Sequence, residues 1–574
     1  MNDKVKIAIV DNDIDKTVFP NIDIKDVMFD IGERSQYHAT FVAGIIIDKL
    51  KEYNHKTSYT NVPAYLIEFE SDYKAQSKKS VKFFNDLTKN LLDHNFINCS
   101  IIIPFLPNDI KYLNLTRLKE AYLKDDAKGL ICVAAGNNDF FIPGSTFFPQ
   151  NTLYSMNIGA FYSNNYFSST PSVSVMFVED GVQKSYNTKS NDGHVMSYYY
   201  SDLLEFGSHY LNKHFAKFSP GTAKVYKRVE KYLSNGSSYA CPAKVGLFAR
   251  SLHENVDKKL SKHDLINIAL HSSRKPLIKK FPDNYENNKL LTYVRSFKEN
   301  KSAERNGRGH AHSLEFGFGN VNHKSFKNLA KAWIKSKNDI REVEFSLSSK
   351  STHNKGNFVY NFEVKDDFRV QQIQVEYKGV NTTKSSSKIK NTYSVKDLKN
   401  LKLVSPSGTI SVIYNKLLSP KTNYNRLLKA EHISDVDRNA QKTFFSQPLY
   451  GMNKTVQFWG EKKTKGTWQI VSNCELDIKN TKLTFIGNYS KDDHYSYDND
   501  ILNVKKPSAL TDVNGGVDTV YFTNYTNGKV LVNEVDREIQ FMSKYGTSAK
   551  IVKIAEGTKI ENYVFGPLGG KVLR

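Results

Sequence analysis

The chain has 574 residues, room for about four domains of ordinary size. Hydrophobic residues make up 39% and aromatic residues 12%, with 33 Tyr and 35 Phe, so wholesale disorder is excluded. Lys and Arg number 81 against 59 Asp and Glu, a net charge of +22, but they are spread from end to end without a dense stripe or a nucleic-acid motif. That distribution argues against nucleic acid as a partner. No apolar run approaches the ~18 residues of a membrane-spanning helix. Met1–Val10 turns polar at once at Asp11-Asn12-Asp13, unlike a secretory signal peptide. The four cysteines (Cys99, Cys132, Cys241, Cys474) show no metal or pairing spacing, and Cys99 and Cys132 sit in apolar runs as expected of buried thiols.

In chain order, Val5–Val10 reads as a buried strand and His38–Leu50 as a helix. Ala64–Phe69, Phe96–Ile103 and Leu130–Ala135 are strand-like, with helical periodicity over Val81–His94 and Leu115–Leu123. Strand, helix, strand in alternation predicts an α/β unit with a parallel sheet covered on both faces, spanning 1–335. Residues 336–365 are polar and rich in Ser, Lys and Asn, as expected of a boundary. Beyond them, period-2 strands at Gln372–Tyr377, Leu401–Val404, Ile410–Tyr414, Thr467–Val471 and Lys482–Ile486 predict a β-sandwich over 345–490. A Tyr- and Asp-rich join leads to a small β module over 495–574.

Four local motifs in the first unit carry chemistry. The strand Val5–Val10 runs directly into Asp11, and strand C-terminal ends are where open α/β sheets place their sites. Asp13 and Asp15 are rivals, but Asp11 alone follows the apolar run directly. His38 stands in the first turn of a helix with small residues behind it, and Leu130–Ala135 closes on Gly136-Asn137. Asn235-Gly236-Ser237-Ser238 places a serine where a turn enters a helix. Carboxylate, imidazole, amide and hydroxyl are the groups acyl transfer uses: a base to deprotonate the hydroxyl, an anion to orient the base, and a donor for the oxyanion.

Together these motifs resemble the subtilisin-like serine proteases. The family's His-Gly-Thr-His-Val-Ala-Gly corresponds to His38-Ala39-Thr40-Phe41-Val42-Ala43-Gly44. Its Ala-Ala-Gly-Asn is intact at Ala134–Asn137, and its Gly-Thr-Ser-Met-Ala-Ser-Pro corresponds to Gly236-Ser237-Ser238-Tyr239-Ala240-Cys241-Pro242. The order Asp, His, Asn, Ser is kept. The resemblance implies Ser238 as nucleophile, His38 as general base, Asp11 as orienting acid and Asn137 as oxyanion donor. It implies no catalytic metal, protein or peptide substrates, and Ser100, Ile101, Ala135 and Gly136 lining the substrate. Ala39, Phe41 and Tyr239 depart from the pattern and are expected to alter pocket shape more than the proton relay, with Tyr239 narrowing the leaving-group side. Only ten residues precede Asp11, where related enzymes carry a propeptide.

His312–Gly319 followed by Ser325–Trp333 resembles the end of the kexin/furin-type catalytic domain, whose next domain is a β-sandwich P domain. Leu403–Thr409, Phe458–Glu461 (with Trp459), Gly466–Trp468 and Lys482–Gly487 resemble that domain's strands. The basic-residue pocket of that branch does not carry over, because Ser100–Asp109 is largely apolar, so an apolar or mixed preference is expected. Ser508–Thr519 and Ile554–Asn562 resemble the region leading into the calcium-binding end of serralysin-type proteases. That resemblance implies Asp512, Asp518 and Glu561 as calcium ligands and export by a C-terminal signal. Ordinary Asx-Gly turns are the alternative for these residues, and a cytoplasmic location the alternative to secretion. An inactive subtilisin-fold binding protein is the alternative to an enzyme, and the sequence does not fix the oligomeric state.

Overall fold

The structure is a computed structural model. It describes residues 4–27, 29, 37–64, 73–100, 112–135, 154–161, 175–180, 182–187, 230–274, 319–333 and 340–352. Further on it describes 357–366, 368–377, 382–384, 393–395, 400–406, 410–415, 453–455, 465–473, 475–489, 501–503, 519–522, 525, 528–543, 545, 548–554, 560, 562–565 and 568–573.

The first body is built on strands β1 (Val5–Asp11), β2 (Ile24–Asp26), β3 (Thr57–Pro63), β4 (Phe96–Cys99), β5 (Leu130–Ala134), β6 (Ser155–Phe161) and β7 (Val175–Asp180). A separate antiparallel pair, β8 (Val182–Asn187) and β9 (Glu230–Asn235), follows, and then β10 (Ser273–Arg274) and β11 (Asn320–Val321). The nine-stranded sheet has the order β10-β11-β7-β6-β5-β4-β1-β3-β2, parallel throughout except for the β10–β11 edge. The central strands are apolar on both faces, with Ile7 to Val10 and Leu130 to Cys132 fully buried, as a covered parallel sheet requires. Helices α1 (Tyr37–Lys49), α2 (Tyr73–Asn90), α3 (Leu115–Leu123), α4 (Ser237–Glu254), α5 (Lys262–Ser272) and α6 (His323–Ala332) complete the described part. Helix α5 opens on a capping box, in which Ser261 N–H donates to Asp264 Oδ2 and Asp264 N–H to Ser261 Oγ.

Two differences from the sequence expectations have a physical cause. A strand lies at Thr57–Pro63, ahead of the one expected at Ala64–Phe69, of which Ala64 is outside any strand and residues 65–69 are outside the described part. Its polar side chains are buried because other elements satisfy them: Thr60 Oγ1 meets His94 Nε2 at 2.9 Å, and Asn61 Nδ2 donates to Asp13 and Asp26 at 2.7 and 3.0 Å. The polar text of 336–365 holds three strands, since Val343, Phe345 and Leu347 alternate with polar residues across it and pack on an apolar core.

Those strands are β12 (Arg341–Phe345), β13 (Leu347–Thr352) and β14 (Phe358–Val364). They are followed by β15 (Phe368–Glu376), β16 (Thr382–Lys384), β17 (Tyr393–Val395), β18 (Asn400–Val404), β19 (Ile410–Asn415), β20 (Asn453–Thr455), β21 (Gly466–Ser472) and β22 (Lys482–Tyr489). Two antiparallel sheets, β12-β22-β15-β20 and β13-β14-β21-β18-β19, share one core, while β16 and β17 pair separately. The fully buried Trp468 anchors that core edge-on to Phe485, ring centroids 4.9 Å apart. Trp459 lies outside the described residues.

The remaining strands are β23 (Ile501–Asn503), β24 (Thr519–Tyr521), β25 (Val530–Asn533), β26 (Glu538–Met542), β27 (Ser548–Lys553), β28 (Asn562–Val564) and β29 (Gly570–Leu573). They form a parallel sheet β23-β24-β28 and a mixed sheet β27-β26-β25-β29 around a third core. The three parts are joined. Ile486 of β22 and Val564 of β28 belong to the core of the first body, and β28 packs on α6. Glu342 of β12 accepts from Tyr154 Oη at 2.7 Å and pairs with Lys119 of α3 at 2.7 Å.

Candidate active site

Asp11 is the last residue of β1, at the C-terminal edge of the sheet, and is fully buried. Its Oδ1 accepts the Asn12 N–H at 2.7 Å. His38, in the first turn of α1, turns Nδ1 to both carboxylate oxygens, at 2.7 Å from Oδ1 and 2.9 Å from Oδ2. A carboxylate only accepts, so Nδ1 carries the proton, and in the neutral ring Nε2 is the acceptor. The His38 side chain is 20% exposed, enough to meet a substrate while its partner stays dry. The loop after Asp11 is tied to the same helix, with Asp15 N–H donating to the buried Thr40 Oγ1 at 2.8 Å.

Ser238 stands at the start of α4. Gly236 ahead of it has φ 141° and ψ 168°, a backbone region that glycine alone enters without strain. Pro242, inside the helix, has no N–H to give the carbonyl four residues back, which is that of Ser238. The carbonyl so released accepts Ser100 Oγ at 2.9 Å, and Ser238 Oγ donates to the Ser100 carbonyl at 3.0 Å. Asn98 Nδ2 donates to Ser100 Oγ at 2.9 Å from within β4. A reciprocal clasp thus fixes the first turn of α4 to the end of β4.

Three of the four residues expected to carry the chemistry are described. Asp11 and His38 are in direct contact, and Ser238 is clasped to Ser100. The ring of Tyr239, next to Ser238, lies 5.4 Å from the His38 ring, centroid to centroid. Asn137 lies outside the described residues, as do Ile101 and Gly136. Ala135 is buried at the end of β5, its N–H donating to the Ile158 carbonyl at 2.9 Å. Tyr239 does not narrow a pocket as expected. It is 1% exposed, with its ring packed edge-on to Phe41 at 4.7 Å. Ala39 and Phe41 are buried with it. The clasp around Ser100 and the inward turn of Tyr239 were both missed by sequence reasoning. The signal for the first was Pro242, four residues after Ser238.

Cys99, Cys132 and Cys241 are buried thiols, as expected for the first two. Burial pushes Cys99 up to about 12, with the Asp11 charge adding to it, and raises Cys241 well above the ordinary range. Asp512, Asp518 and Glu561, expected as calcium ligands, lie outside the described residues. Among the described residues no group of three or more His, Cys, Asp or Glu side chains is placed to hold a metal ion, and no helix is long and apolar enough to cross a membrane.

No protein-family model matches the chain, and no curated protein matches it. Among solved structures, the chain is similar to an Aeromonas sobria serine protease solved in complex with a chaperone. The identity is 16%, over 85% of this chain and 89% of that one, with a TM-score of 0.53. Weaker matches are a prenylagaramide maturation protease (14% identity, 57% of this chain, 94% of that one, TM-score 0.35) and a cold-adapted subtilisin-like serine proteinase (14%, 49%, 86%, TM-score 0.31). The likeness to the first extends over most of both chains and is one of fold. The chain has the subtilisin-like α/β fold followed by β modules.

Proposed function

We propose that the protein is a serine endopeptidase. The observation that carries this reading is the Asp11–His38 pair, with Nδ1 held by both carboxylate oxygens, and it is supported by α4, whose Tyr239, the residue after Ser238, meets the same imidazole. Asp11 fixes the tautomer in which Nε2 is the acceptor nitrogen. The Ser238 hydroxyl, now donating to the Ser100 carbonyl, is proposed to pass its proton to Nε2 when a peptide carbonyl is in place. Oγ then attacks the carbonyl carbon, the imidazolium protonates the leaving amine, and water hydrolyses the acyl-enzyme by the same relay. Asn137 is proposed as oxyanion donor, a contribution worth about 10²–10³ in turnover. The substrate runs past Ser100, Ile101, Ala135 and Gly136, and we propose an apolar or mixed preference for it. The sandwich is proposed as a stabilising partner of the first body, supported by the contacts of Glu342 and the burial of Ile486.

The test is hydrolysis of casein together with labelling by a fluorophosphonate. The wild-type protein is expected to cleave and to be labelled at Ser238. Ser238→Ala is expected to abolish both, and Asp11→Asn to slow cleavage about 10⁴-fold with the fold intact. A folded wild-type protein that neither cleaves nor labels is the inactive binding protein instead.

A further inference from the structure

Two side chains beside the site are unaccounted for by the relay: Phe41, one turn after His38 on the same face of α1, and Tyr239, next to Ser238 on α4. Both are buried, at 4% and 1% exposure. The Tyr239 ring touches the other two at once, 4.7 Å from Phe41 in an edge-on arrangement and 5.4 Å from His38, tilted by 46°. The His38 imidazole is therefore bounded by the Asp11 carboxylate on its Nδ1 side and by an aromatic ring from the helix of the nucleophile.

We propose that Tyr239, braced by Phe41, is a positioning residue that holds the His38 imidazole in the rotamer in which Nδ1 faces Asp11. This rests on the endopeptidase reading. A histidine ring has two soft torsions, and hydrogen bonds at one nitrogen act as a pivot rather than a clamp. A second contact on the ring removes the remaining rotation, and pre-set geometry of a reacting group lowers the barrier directly. Because the contact is made by the ring, it does not depend on the phenol oxygen. It also couples the two helices, since the residue after the nucleophile braces the base.

The test uses the full chain and the variants Tyr239→Phe, Tyr239→Leu and Phe41→Leu, each checked for folding by its thermal midpoint. Tyr239→Phe is expected to keep kcat within about twofold. Tyr239→Leu is expected to lower kcat about tenfold, with KM within about twofold, and to slow fluorophosphonate labelling of Ser238 in proportion. Phe41→Leu, the milder change in volume, is expected to lower kcat about threefold and secures the test if Tyr239→Leu does not fold. Proton NMR of the His38 Nδ1–H supplies a readout independent of turnover. Its signal is expected to persist in Tyr239→Phe and to broaden in Tyr239→Leu and Phe41→Leu. Unchanged kcat with an altered KM or leaving-group preference in the Leu variants overturns the positioning role, as does equal damage from Tyr239→Phe and Tyr239→Leu. Wild-type protein that is folded but unlabelled overturns the endopeptidase reading and the positioning role together. Equal labelling of the wild-type and the Leu variants overturns the positioning role alone.

Discussion

Gly236 sets the direction in which α4 leaves β9 and so aims Ser238. Its φ of 141° and ψ of 168° exclude any side chain without strain, at a cost of about 1–3 kcal/mol. Gly236→Ala is therefore expected to lower the thermal midpoint and slow fluorophosphonate labelling, while Ser237→Ala one residue on leaves the backbone turn intact. Labelling at the wild-type rate in Gly236→Ala would remove the aiming role. At this scale the sequence was informative where a residue's place on an element follows directly from chain order. Asp11 comes straight after an apolar strand, His38 opens a helix, and Ser238 follows a glycine turn. It was silent where a side chain has to choose a direction. Tyr239 reads as a residue beside the nucleophile and therefore as part of a pocket, yet it turns inward. The reason is Phe41, which is distant in sequence and offers the ring an apolar face across the α1–α4 contact.

Helices α1 and α4 carry His38 and Ser238, and they approach closely at Gly246. A Cβ built there would lie 2.6 Å from Lys49 Cβ and 2.9 Å from Lys49 Cγ. Both are near the root of the lysine, so moving its flexible end gives no relief. Gly246→Ala gains up to about 1 kcal/mol of helix propensity but incurs overpacking of about 1–3 kcal/mol. The expected net result is a lower denaturation midpoint together with a loss of activity, because parting the helices moves the proposed base and nucleophile at once. Pairing it with Lys49→Gly should restore activity more than stability, and a fully stable, fully active Gly246→Ala would remove the close-contact argument. Helix α3 was legible to the residue, because its apolar period is local. Strand β3 was not: Thr60 and Asn61 look like turn residues until His94, Asp13 and Asp26 are brought to them from elsewhere in the chain.

At the scale of the whole molecule, three of the described histidines contribute to the acid limit. His263 of α5 lies between Tyr122, whose ring it meets edge-on and whose carbonyl accepts from Nε2 at 2.7 Å, and the neighbouring charge of Lys262. Burial first, and Lys262 second, push it from its ordinary 6.5 to about 4. Burial likewise lowers His253 to about 4 and depresses His94. The unfolded chain binds these protons at a higher pH than the folded one. The stability they contribute is thus complete above pH 6.5 and is lost as the pH falls through 4. For His263 the full loss is about 3 kcal/mol, at about 1.4 kcal/mol per unit. Guanidinium midpoints measured from pH 7 to 4 should fall steadily, and more shallowly in His263→Gln. Midpoints independent of pH over that window would contradict the burial of neutral rings. The alternation of helix and strand and the later β pattern were readable from the sequence. The seams between the parts were not, because Ile486 and Val564 are ordinary apolar strand residues until a distant core claims them.

The burial of Val564 among the first body's side chains has a consequence for biosynthesis. A ribosome delivers Asp11, His38 and Ser238 long before it delivers β28, so the emerging polypeptide holds the three residues of the proposed relay while Val564 is still missing from the core beneath them. Completion of the interior waits for residue 564, and the order of translation is in that sense a timer written into the packing.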